Sequence, residues 1–301
     1  MRLVRHTLFL LFVLSLVPAG AQRPEDRNVV FGMASGAALL MDVHRPPQPN
    51  GLGIILISGS GFGVFSPYQR GYESDPLKAD FAKGYVADVG HALVQRGYTV
   101  FMINHRFAPA FRYQTMIADA QRAVRFIRAH AADYGIDPNH LGAAGHSSGG
   151  YLSAMLGVTD LTIDNPRKAP VEAQSSRVQA VVTFAASFVM TENFFDIPLI
   201  ARAMTNLMGA LPDRDANGQP LLTGGYAEAS PITHVTPDDA PILIYHAQAD
   251  PMIPAQNAVL MFARLQESHV PSKLVMRNTG GHEPPVDMDE VDQWFRQNLK
   301  R

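Results

Sequence analysis

Short apolar runs alternate with segments of helical periodicity from residue 28 to residue 300. Four of these runs are continuously apolar and rich in β-branched residues, as strands are when helices cover both faces of a parallel sheet. They are residues 53–57, 99–104, 178–184 and 241–246. Residues 29–33 and 37–44 predict two more strands, and the Ser35-Gly36 pair between them predicts a hairpin turn. Residues 140–145 and 273–276 complete the predicted sheet.

The segments between the strands carry apolar residues at spacings of three and four, which is the period of an amphipathic helix. In the longest of them, residues 113–132, four charged side chains lie largely off the apolar face, which predicts a solvated surface. They are Asp119, Arg122, Arg125 and Arg128. Further helices are predicted at residues 88–96, 150–157, 257–268 and 287–299. This alternation predicts an α/β fold, a mostly parallel sheet flanked by helices, with ligands bound at the carboxyl ends of the strands.

No linker, internal repeat or low-complexity tract interrupts this alternation, so residues 22–301 are predicted to form one catalytic-size domain. The long apolar stretch between the strands predicted at 178–184 and 241–246 predicts a helical insert over residues 187–235. Such an insert is either a lid that covers a ligand site or an ordinary helix packed on the core. The sequence leaves both interpretations open.

The amino terminus has the pattern of a secretory signal peptide. Arg2 and Arg5 precede an apolar stretch at residues 8–17, and a proline and the small residues 19–21 follow it. A membrane anchor is the alternative, but ten residues rise only about 15 Å as a helix, against a hydrocarbon core of about 30 Å. We therefore expect residues 1–21 to be removed and the protein to be exported, periplasmic or secreted, without stable membrane insertion after processing.

The amino-acid composition of the chain excludes several classes of function. The 301 residues include no cysteine, which excludes cysteine nucleophiles and zinc sites built from cysteines. Lys and Arg total 25 against 27 Asp and Glu, which gives a net charge of −2, and nowhere are three basic residues consecutive. A chain without a basic patch lacks the electrostatic footprint of a nucleic-acid-binding protein, so nucleic acid is not an expected partner.

The six residues GHSSGG at 145–150 form a G-x-S-x-G motif with a predicted strand before it and a predicted helix after it. A nucleophile elbow requires that context, because its serine occupies a strained turn between a strand and a helix. Glycines two residues before and two residues after Ser147 allow the strand and the helix to approach closely. Ser147 is therefore the predicted nucleophile, whereas Ser148 has His146 and Gly150 at the same two positions.

A serine hydroxyl needs a histidine to take its proton, and that histidine needs a carboxylate to fix its tautomer. In hydrolases with this elbow the three residues follow in the order serine, acid, histidine. His282 lies in a glycine-containing loop after the last predicted strand, and Asp250 follows the strand predicted at 241–246. Both residues therefore lie where the carboxyl end of a strand would project them towards Ser147.

Other residues of the same types are weaker candidates. Glu283 is the immediate neighbour of His282 and cannot easily turn its carboxylate onto that ring, and the next acids along the chain break the order. The remaining histidines near the motifs are interpreted as structural or surface residues: His146, His234, His246 and His269. The predicted triad is Ser147, Asp250 and His282.

Acyl transfer also needs backbone N–H groups that stabilise a tetrahedral oxyanion. Residues 58–63, Ser-Gly-Ser-Gly-Phe-Gly, follow the strand predicted at 53–57 and suit that task. A phosphate-binding loop is the rival interpretation, but a dinucleotide fingerprint needs Gly or Ala where Val64 stands, and a Walker loop needs a lysine that this segment lacks. The presence of Ser147 and His282 in the same chain favours the oxyanion interpretation.

Together these motifs resemble an α/β-hydrolase of the carboxylesterase type, close to the hormone-sensitive-lipase-like and bacterial feruloyl-esterase-like groups. The resemblance covers nearly all of residues 28–300. Besides the elbow and the helix around Asp119, it rests on residues 40–46, 97–100, 104–109, 134–139, 229–233, 250–254 and 281–282. It implies an α/β-hydrolase fold with a helical insert over the site, ester hydrolysis through an acyl-enzyme, and no metal or organic cofactor.

The chain departs from the family pattern at two places. Members usually carry His-Gly-Gly-Gly where this chain has Ser-Gly-Ser-Gly at 58–61, and Ser-Ala-Gly-Gly where it has Ser-Ser-Gly-Gly at 147–150. By position, the resemblance assigns the oxyanion donors to the backbone N–H groups of Ser60, Gly61 and Ser148. The serine at the histidine position cannot make all the contacts of a histidine, so the bracing of this loop is left open.

The resulting hypothesis is an exported serine esterase that acts on a small-molecule ester, with an acylated carbohydrate or an aromatic ester as candidate substrates. Phe62, and Phe188, Phe194 and Phe195 of the insert, are expected to contact the substrate. A serine peptidase of the same fold is one alternative, although such relatives usually carry an additional large domain. A non-catalytic binding protein on a hydrolase fold is the other, and it would be expected to have lost a member of the triad.

Overall fold

The computed structural model describes residues 23–63, 84–160, 170–191 and 198–299. The predicted signal peptide, residues 1–21, lies outside this part of the chain. The strands are β1 Glu25–Ala34, β2 Ala37–His44, β3 Gly53–Ile57, β4 Thr99–Ile103, β5 Leu141–His146, β6 Ala180–Phe184, β7 Ile242–Ala247 and β8 Ser272–Arg277. The described residues form one eight-stranded sheet in the order β1-β2-β4-β3-β5-β6-β7-β8.

The sheet is mostly parallel, as predicted. β1 pairs with β2 and β2 with β4 in antiparallel orientation, whereas the strands from β4 to the β8 edge are parallel to one another. Ser35 and Gly36, between β1 and β2, have φ values of 50° and 78°. Positive φ at both central residues matches the twist of the flanking strands, so the predicted hairpin is confirmed.

Helices cover both faces of the sheet. They are α1 Tyr85–Gln95, α2 Tyr113–Ala129, α3 Ala131–Tyr134, α4 Ser148–Val158, α5 Pro198–Met208, α6 Gly224–Glu228, α7 Gln256–Glu267 and α8 Met288–Leu299, with 3-10 turns at Gly61–Gly63 and Pro231–His234. The helices predicted from periodicity are all present, with ends that differ from the prediction by up to three residues. In the part of the chain that the structure describes, no helix has both the length and the apolar character needed to cross a membrane.

Alternation along the buried strands divides the core into two layers. In β3, Ile55 and Ile57 face one side of the sheet and Ile54 and Leu56 face the other, as the two-residue period of a strand dictates. Helices α2, α4 and α7 pack on the first side, and α1 and α8 pack on the second. Because both faces are covered, the central strands are buried and apolar at nearly every position, which is the pattern that predicted them.

The charged residues of α2 do not form the solvated face that its periodicity predicts. Asp119 is only 2% exposed and Arg125 only 3% exposed. Arg106 donates to both carboxylate oxygens of Asp119, at 2.6 and 2.9 Å, and Arg125 donates to the carbonyl of Gln174 at 3.1 Å. The prediction was wrong for these two residues because segments that are distant in sequence cover that side of the helix.

The strand order places a crevice above β3 and β5. The chain leaves β3 for β4 on one side and later returns to β5 on the other side of β3. Crossovers that diverge in this way open a space at the carboxyl ends of the two strands, where α/β proteins bind ligands. The segment after β3 and the turn from β5 to α4 both lie at this crevice. The region between β6 and β7, predicted to be an insert, contributes α5, α6 and the second 3-10 turn.

Candidate active site

Ser147 occupies the turn between β5 and α4 with φ 55° and ψ −123°. A positive φ is uncommon for a residue other than glycine, so the surrounding packing must hold this conformation. A Cβ added to Gly145 would lie 2.3 Å from the carbonyl oxygen of Gly149. A Cβ added to Gly149 would lie 2.2 Å from the carbonyl oxygen of Ile57. Both glycines are required, because β5, α4 and the end of β3 approach too closely for a side chain.

The structure brings Ser147, His282 and Asp250 together at the crevice. His282 Nε2 lies 2.9 Å from Ser147 Oγ, and His282 Nδ1 lies 2.9 Å from Asp250 Oδ2 and 3.1 Å from Oδ1. An imidazole whose Nδ1–H donates to a carboxylate presents an unprotonated Nε2, which accepts the hydrogen bond of the serine hydroxyl. Such an arrangement is able to remove the hydroxyl proton while the oxygen attacks a carbonyl carbon.

Asp250 lies beneath His282 with its side chain 0% exposed. Its Oδ1 accepts hydrogen bonds from the backbone N–H groups of Met252 at 2.8 Å and Ile253 at 3.0 Å. Burial acts to raise the pKa of Asp250, but the hydrogen bonds from His282 and from these N–H groups together hold the pKa below its ordinary value. The carboxylate is therefore ionised at neutral pH. His246 donates to the carbonyl of Ile253 at 2.9 Å and stays 3.6 Å from Asp250 Oδ2, which is a structural contact.

The loop after β3 packs against the elbow through two serines that the family pattern lacks. The Ser60 N–H donates to Ser148 Oγ at 2.8 Å, and the two hydroxyl oxygens are 3.4 Å apart. The Ser60 N–H is thus engaged inside the protein, and the expectation that it points to an oxyanion does not fit this geometry. The N–H groups of Gly61 and Ser148 remain candidate donors, since both residues line a cavity beside Ser147.

A cavity of about 20 Å³ lies against Ser147 and His282. Helix α5 contributes Ile200, Ala203 and Met204 to its wall. A volume of this size holds about one water-sized group. The described residues therefore leave room beside Ser147 for a methyl-sized apolar group.

The structure agrees with one of the four predicted substrate contacts, disagrees with another and does not describe the remaining two. Phe62 lines the cavity. Phe188 does not: it is 0% exposed within the core, so its ring is not available to a ligand, and its neighbour Ser187 lines the cavity instead. The prediction for Phe188 was wrong because its side chain belongs to the apolar core on one side of the sheet. Phe194 and Phe195 lie outside the described residues.

Sequence reasoning missed two contributions to the site. His146, interpreted as a structural or surface residue, lies within the site, with its Nε2 2.7 Å from the carbonyl oxygen of His282. No sequence signal could have found this contact, because its acceptor is a backbone atom. Ile200 and Met204 of α5 were not among the predicted substrate contacts, although they lie in the segment predicted as an insert and their spacing of four residues is that of a helix face.

Metal-ligand side chains cluster elsewhere in the described residues. Glu25, Asp42 and His44 of β1 and β2 place one potential ligand atom each within 4.8 Å of one another. The Asn28 N–H donates to Asp42 Oδ1 at 2.7 Å, and Arg27 pairs with Glu25 at 2.7 Å. These strands carry none of the residues at the crevice, so the cluster takes no part in the site described above.

Comparison with known proteins gives relatives over most of the chain. The sequence model of the BD-FAE family matches residues 41–265. The probable carboxylic ester hydrolase LipM of Mycobacterium tuberculosis is 32% identical over 238 residues, which are 77% of this chain and 50% of LipM. An acetylxylan esterase of Xylanibacter ruminicola is 22% identical over 263 residues, which are 87% of this chain and 47% of that protein. The chain spans about half the length of these curated relatives.

A solved structure gives the same result for the fold. A truncated form of a carbohydrate esterase from gut microbiota superposes with a TM-score of 0.71 at 23% identity, covering 92% of this chain and 96% of that chain. The agreement over nearly both whole chains confirms the predicted α/β-hydrolase fold. The chain therefore belongs to the BD-FAE family, and its resemblance to carboxylesterase-type α/β-hydrolases is confirmed.

Proposed function

We propose that this protein is a serine esterase that hydrolyses carboxylic esters through an acyl-enzyme on Ser147. The observation that carries the proposal is the position of His282, which lies 2.9 Å from Ser147 Oγ on one side and 2.9 Å from Asp250 Oδ2 on the other. A non-catalytic protein on the same fold would have no reason to keep this chain of hydrogen bonds. The names of the family relatives support the same activity.

The roles of the residues follow from this geometry. Ser147 Oγ attacks the ester carbonyl carbon while His282 Nε2 accepts its proton, and the C–O bond to the alcohol then breaks as His282 returns that proton to the leaving oxygen. Asp250 holds the Nδ1–H tautomer and stabilises the imidazolium. A water molecule repeats the sequence on the acyl-enzyme and releases the acid. The N–H groups of Gly61 and Ser148 stabilise the negative charge of the tetrahedral intermediates.

The proposed substrates are short-chain acyl esters of carbohydrates. The cavity of about 20 Å³ beside Ser147 favours an acetyl group over longer acyl chains. The names of two similar proteins, an acetylxylan esterase and a carbohydrate esterase, favour a carbohydrate as the alcohol. Acetylated xylan oligosaccharides, together with acetyl, butyryl, octanoyl and feruloyl esters of one chromogenic alcohol, form the test panel.

The panel tests the proposed function with and without a serine-reactive phosphonate. Hydrolysis of the acetyl esters, abolished by the phosphonate with label on Ser147, is the expected result. An enzyme inactive on every ester, or one active after complete labelling of Ser147, would overturn the proposal. Faster hydrolysis of the feruloyl ester than of the acetyl ester would support the esterase activity and contradict the proposed acetyl specificity.

We also propose that the protein is exported. The support is the charge and hydropathy pattern of residues 1–21, in which Arg2 and Arg5 precede an apolar stretch and small residues follow.

The two serines that join the elbow to the loop after β3 give a matched pair of variants. Ser148→Ala removes the acceptor of the Ser60 N–H, whereas Ser60→Ala keeps that N–H and its bond to Ser148 Oγ. A buried hydrogen bond contributes about 1 kcal/mol. At about tenfold in rate for each 1.36 kcal/mol, we expect kcat to fall about fivefold in Ser148→Ala and less than about twofold in Ser60→Ala. Equal losses in both variants, or a faster Ser148→Ala, would show that the bond does not brace the loop.

The wall of the cavity predicts acyl-chain selectivity. Met204→Ala should enlarge the space beside Ser147 and raise the butyryl-to-acetyl ratio of kcat/KM by about tenfold or more, because each methylene in an apolar pocket changes selectivity about 10- to 200-fold. Met261→Ala is the matched control, since Met261 is buried in the same apolar cluster but belongs to α7. The control should lower Tm and leave the ratio unchanged. An unchanged ratio in Met204→Ala would contradict the acyl-pocket assignment.

A further inference from the structure

The loop that carries His282 depends on other elements for its hydrogen bonds. We call residues 280–286 the histidine loop. Gly280 and Gly281 have φ values of 96° and 53°, and Pro284 is followed by a second proline, so two N–H groups are missing from the loop. The Glu283 N–H closes one turn onto the carbonyl of Gly280 at 2.9 Å. Other carbonyls of the loop have no donor within it, so they bond to water or to other elements.

Side chains from three different elements supply those donors. His146, at the end of β5, donates from Nε2 to the carbonyl of His282 at 2.7 Å. Tyr85, at the start of α1, donates its hydroxyl to the carbonyl of Pro284 at 2.7 Å. Arg277, at the end of β8, donates from Nε to the next carbonyl at 2.9 Å. The backbone of the histidine loop is thus held from three directions.

His146 makes the contact nearest to the reacting atoms. Its acceptor is a carbonyl, so Nε2 carries the proton. Burial lowers the pKa of His146 to about 4, so the ring is neutral at neutral pH and donates this one hydrogen bond. The ring is itself fixed between two others, with centroid distances of 5.1 Å to Tyr85 and 4.8 Å to His282. The donor therefore has a fixed position within the elbow, directly before Ser147.

His282 must satisfy two partners at once, with Nε2 on Ser147 and Nδ1 on Asp250. These partners lie at the ends of β5 and β7, whereas the histidine loop follows β8, so the loop backbone sets the reach of the ring. We propose that His146 is a positioning residue, whose hydrogen bond to the His282 carbonyl ties the histidine loop to the strand that carries the nucleophile. The inference rests on the proposed function, because it assigns His146 to the action of that triad.

Two variants at His146 distinguish the effect of losing its hydrogen bond from the effect of losing the volume of its ring. His146→Gln keeps an N–H donor at nearly the position of Nε2, whereas His146→Met has a similar volume and no donor. We expect His146→Met to lower kcat on an acetyl ester by about 10- to 100-fold with KM changed less than twofold, since small misplacements of a catalytic group have effects of that size. His146→Gln should restore most of the lost kcat.

The chain offers a matched control for the loss of such a bond. His130 also donates to a backbone carbonyl, from Nδ1 to Phe126 at 2.8 Å, and stacks on the Phe126 ring. It follows α2, which leads to the amino end of β5, so it lies at the edge of the sheet opposite the crevice. His130→Met should change Tm by an amount similar to His146→Met and leave kcat unchanged.

Wild-type protein and His282→Ala are measured beside these variants. If wild-type protein hydrolyses the ester, His282→Ala does not, and His146→Met equals wild type, the proposed function stands and the inference about His146 fails. If His146→Gln is as slow as His146→Met, the hydrogen bond is not the cause and the inference also fails. If wild-type protein and His282→Ala are equally inactive on every ester, the proposed function itself fails.

Discussion

Ser147→Ala is expected to lower kcat on an acetyl ester by about a million-fold, since removing the nucleophile of a serine triad has an effect of that order. His282, 2.9 Å from Ser147 Oγ, would then have no hydroxyl to deprotonate. Alanine differs from serine only by the hydroxyl oxygen, so the strained turn at φ 55° should survive and Tm should stay within a few degrees. Steady-state kinetics, thermal unfolding and phosphonate labelling of the same preparation provide the measurements.

Two controls make the expected loss specific to the proposed triad. The double variant Ser147→Ala/His282→Ala should be no slower than Ser147→Ala alone, because residues that act as one unit do not contribute additively. The neighbouring Ser148→Ala should keep at least a few per cent of the wild-type rate, because the backbone N–H of residue 148 is retained. A Ser147→Ala enzyme that keeps a tenth of wild-type activity, or a double variant far slower than the single one, would contradict an acyl-enzyme on Ser147.

The residues that meet at the crevice could be predicted because each belongs to a pattern with a steric or topological cause. Two glycines in the elbow are required by approaches of 2.2 and 2.3 Å, and that requirement is visible in sequence as G-x-S-x-G. Asp250 and His282 follow predicted strands, and parallel strands deliver their carboxyl ends to one edge of the sheet. Sequence order and strand prediction were therefore enough to bring Ser147, Asp250 and His282 together.

The hydrogen bonds that hold the loop after β3 and the histidine loop in place could not be predicted, because no sequence pattern marks them. The Ser60 N–H bonds a hydroxyl 88 residues away, and His146 bonds a carbonyl 136 residues away. In each pair one partner is a backbone group, which every residue has. Helix periodicity likewise placed Asp119 away from the apolar stripe of α2, but it carried no information about Arg106, which covers that face. Local sequence therefore predicts which face of the helix a side chain occupies. Whether that face is buried depends on how other segments of the chain pack against it.

Asp250→Asn is the second substitution with a very large expected effect, and its cause lies in the two N–H groups beneath the carboxylate. Met252 and Ile253 donate to Oδ1 at 2.8 and 3.0 Å. In the variant these donors require the amide oxygen at that position, because an amide NH₂ placed there would face two N–H groups. The NH₂ must then point towards His282 Nδ1. His246, 3.6 Å from Oδ2, is too far away to hold the amide in the opposite orientation.

An amide NH₂ that donates to His282 Nδ1 selects the tautomer with its proton on Nε2, which cannot accept the proton of Ser147. We expect kcat/KM on an acetyl ester to fall about ten-thousandfold in Asp250→Asn, with Tm little changed. Asp250→Ala leaves His282 free to choose its tautomer, so it should be no slower than Asp250→Asn although asparagine is closer in shape to aspartate. An Asp250→Asn enzyme within tenfold of wild type, or one much faster than Asp250→Ala, would show that Asp250 does not set the tautomer of His282.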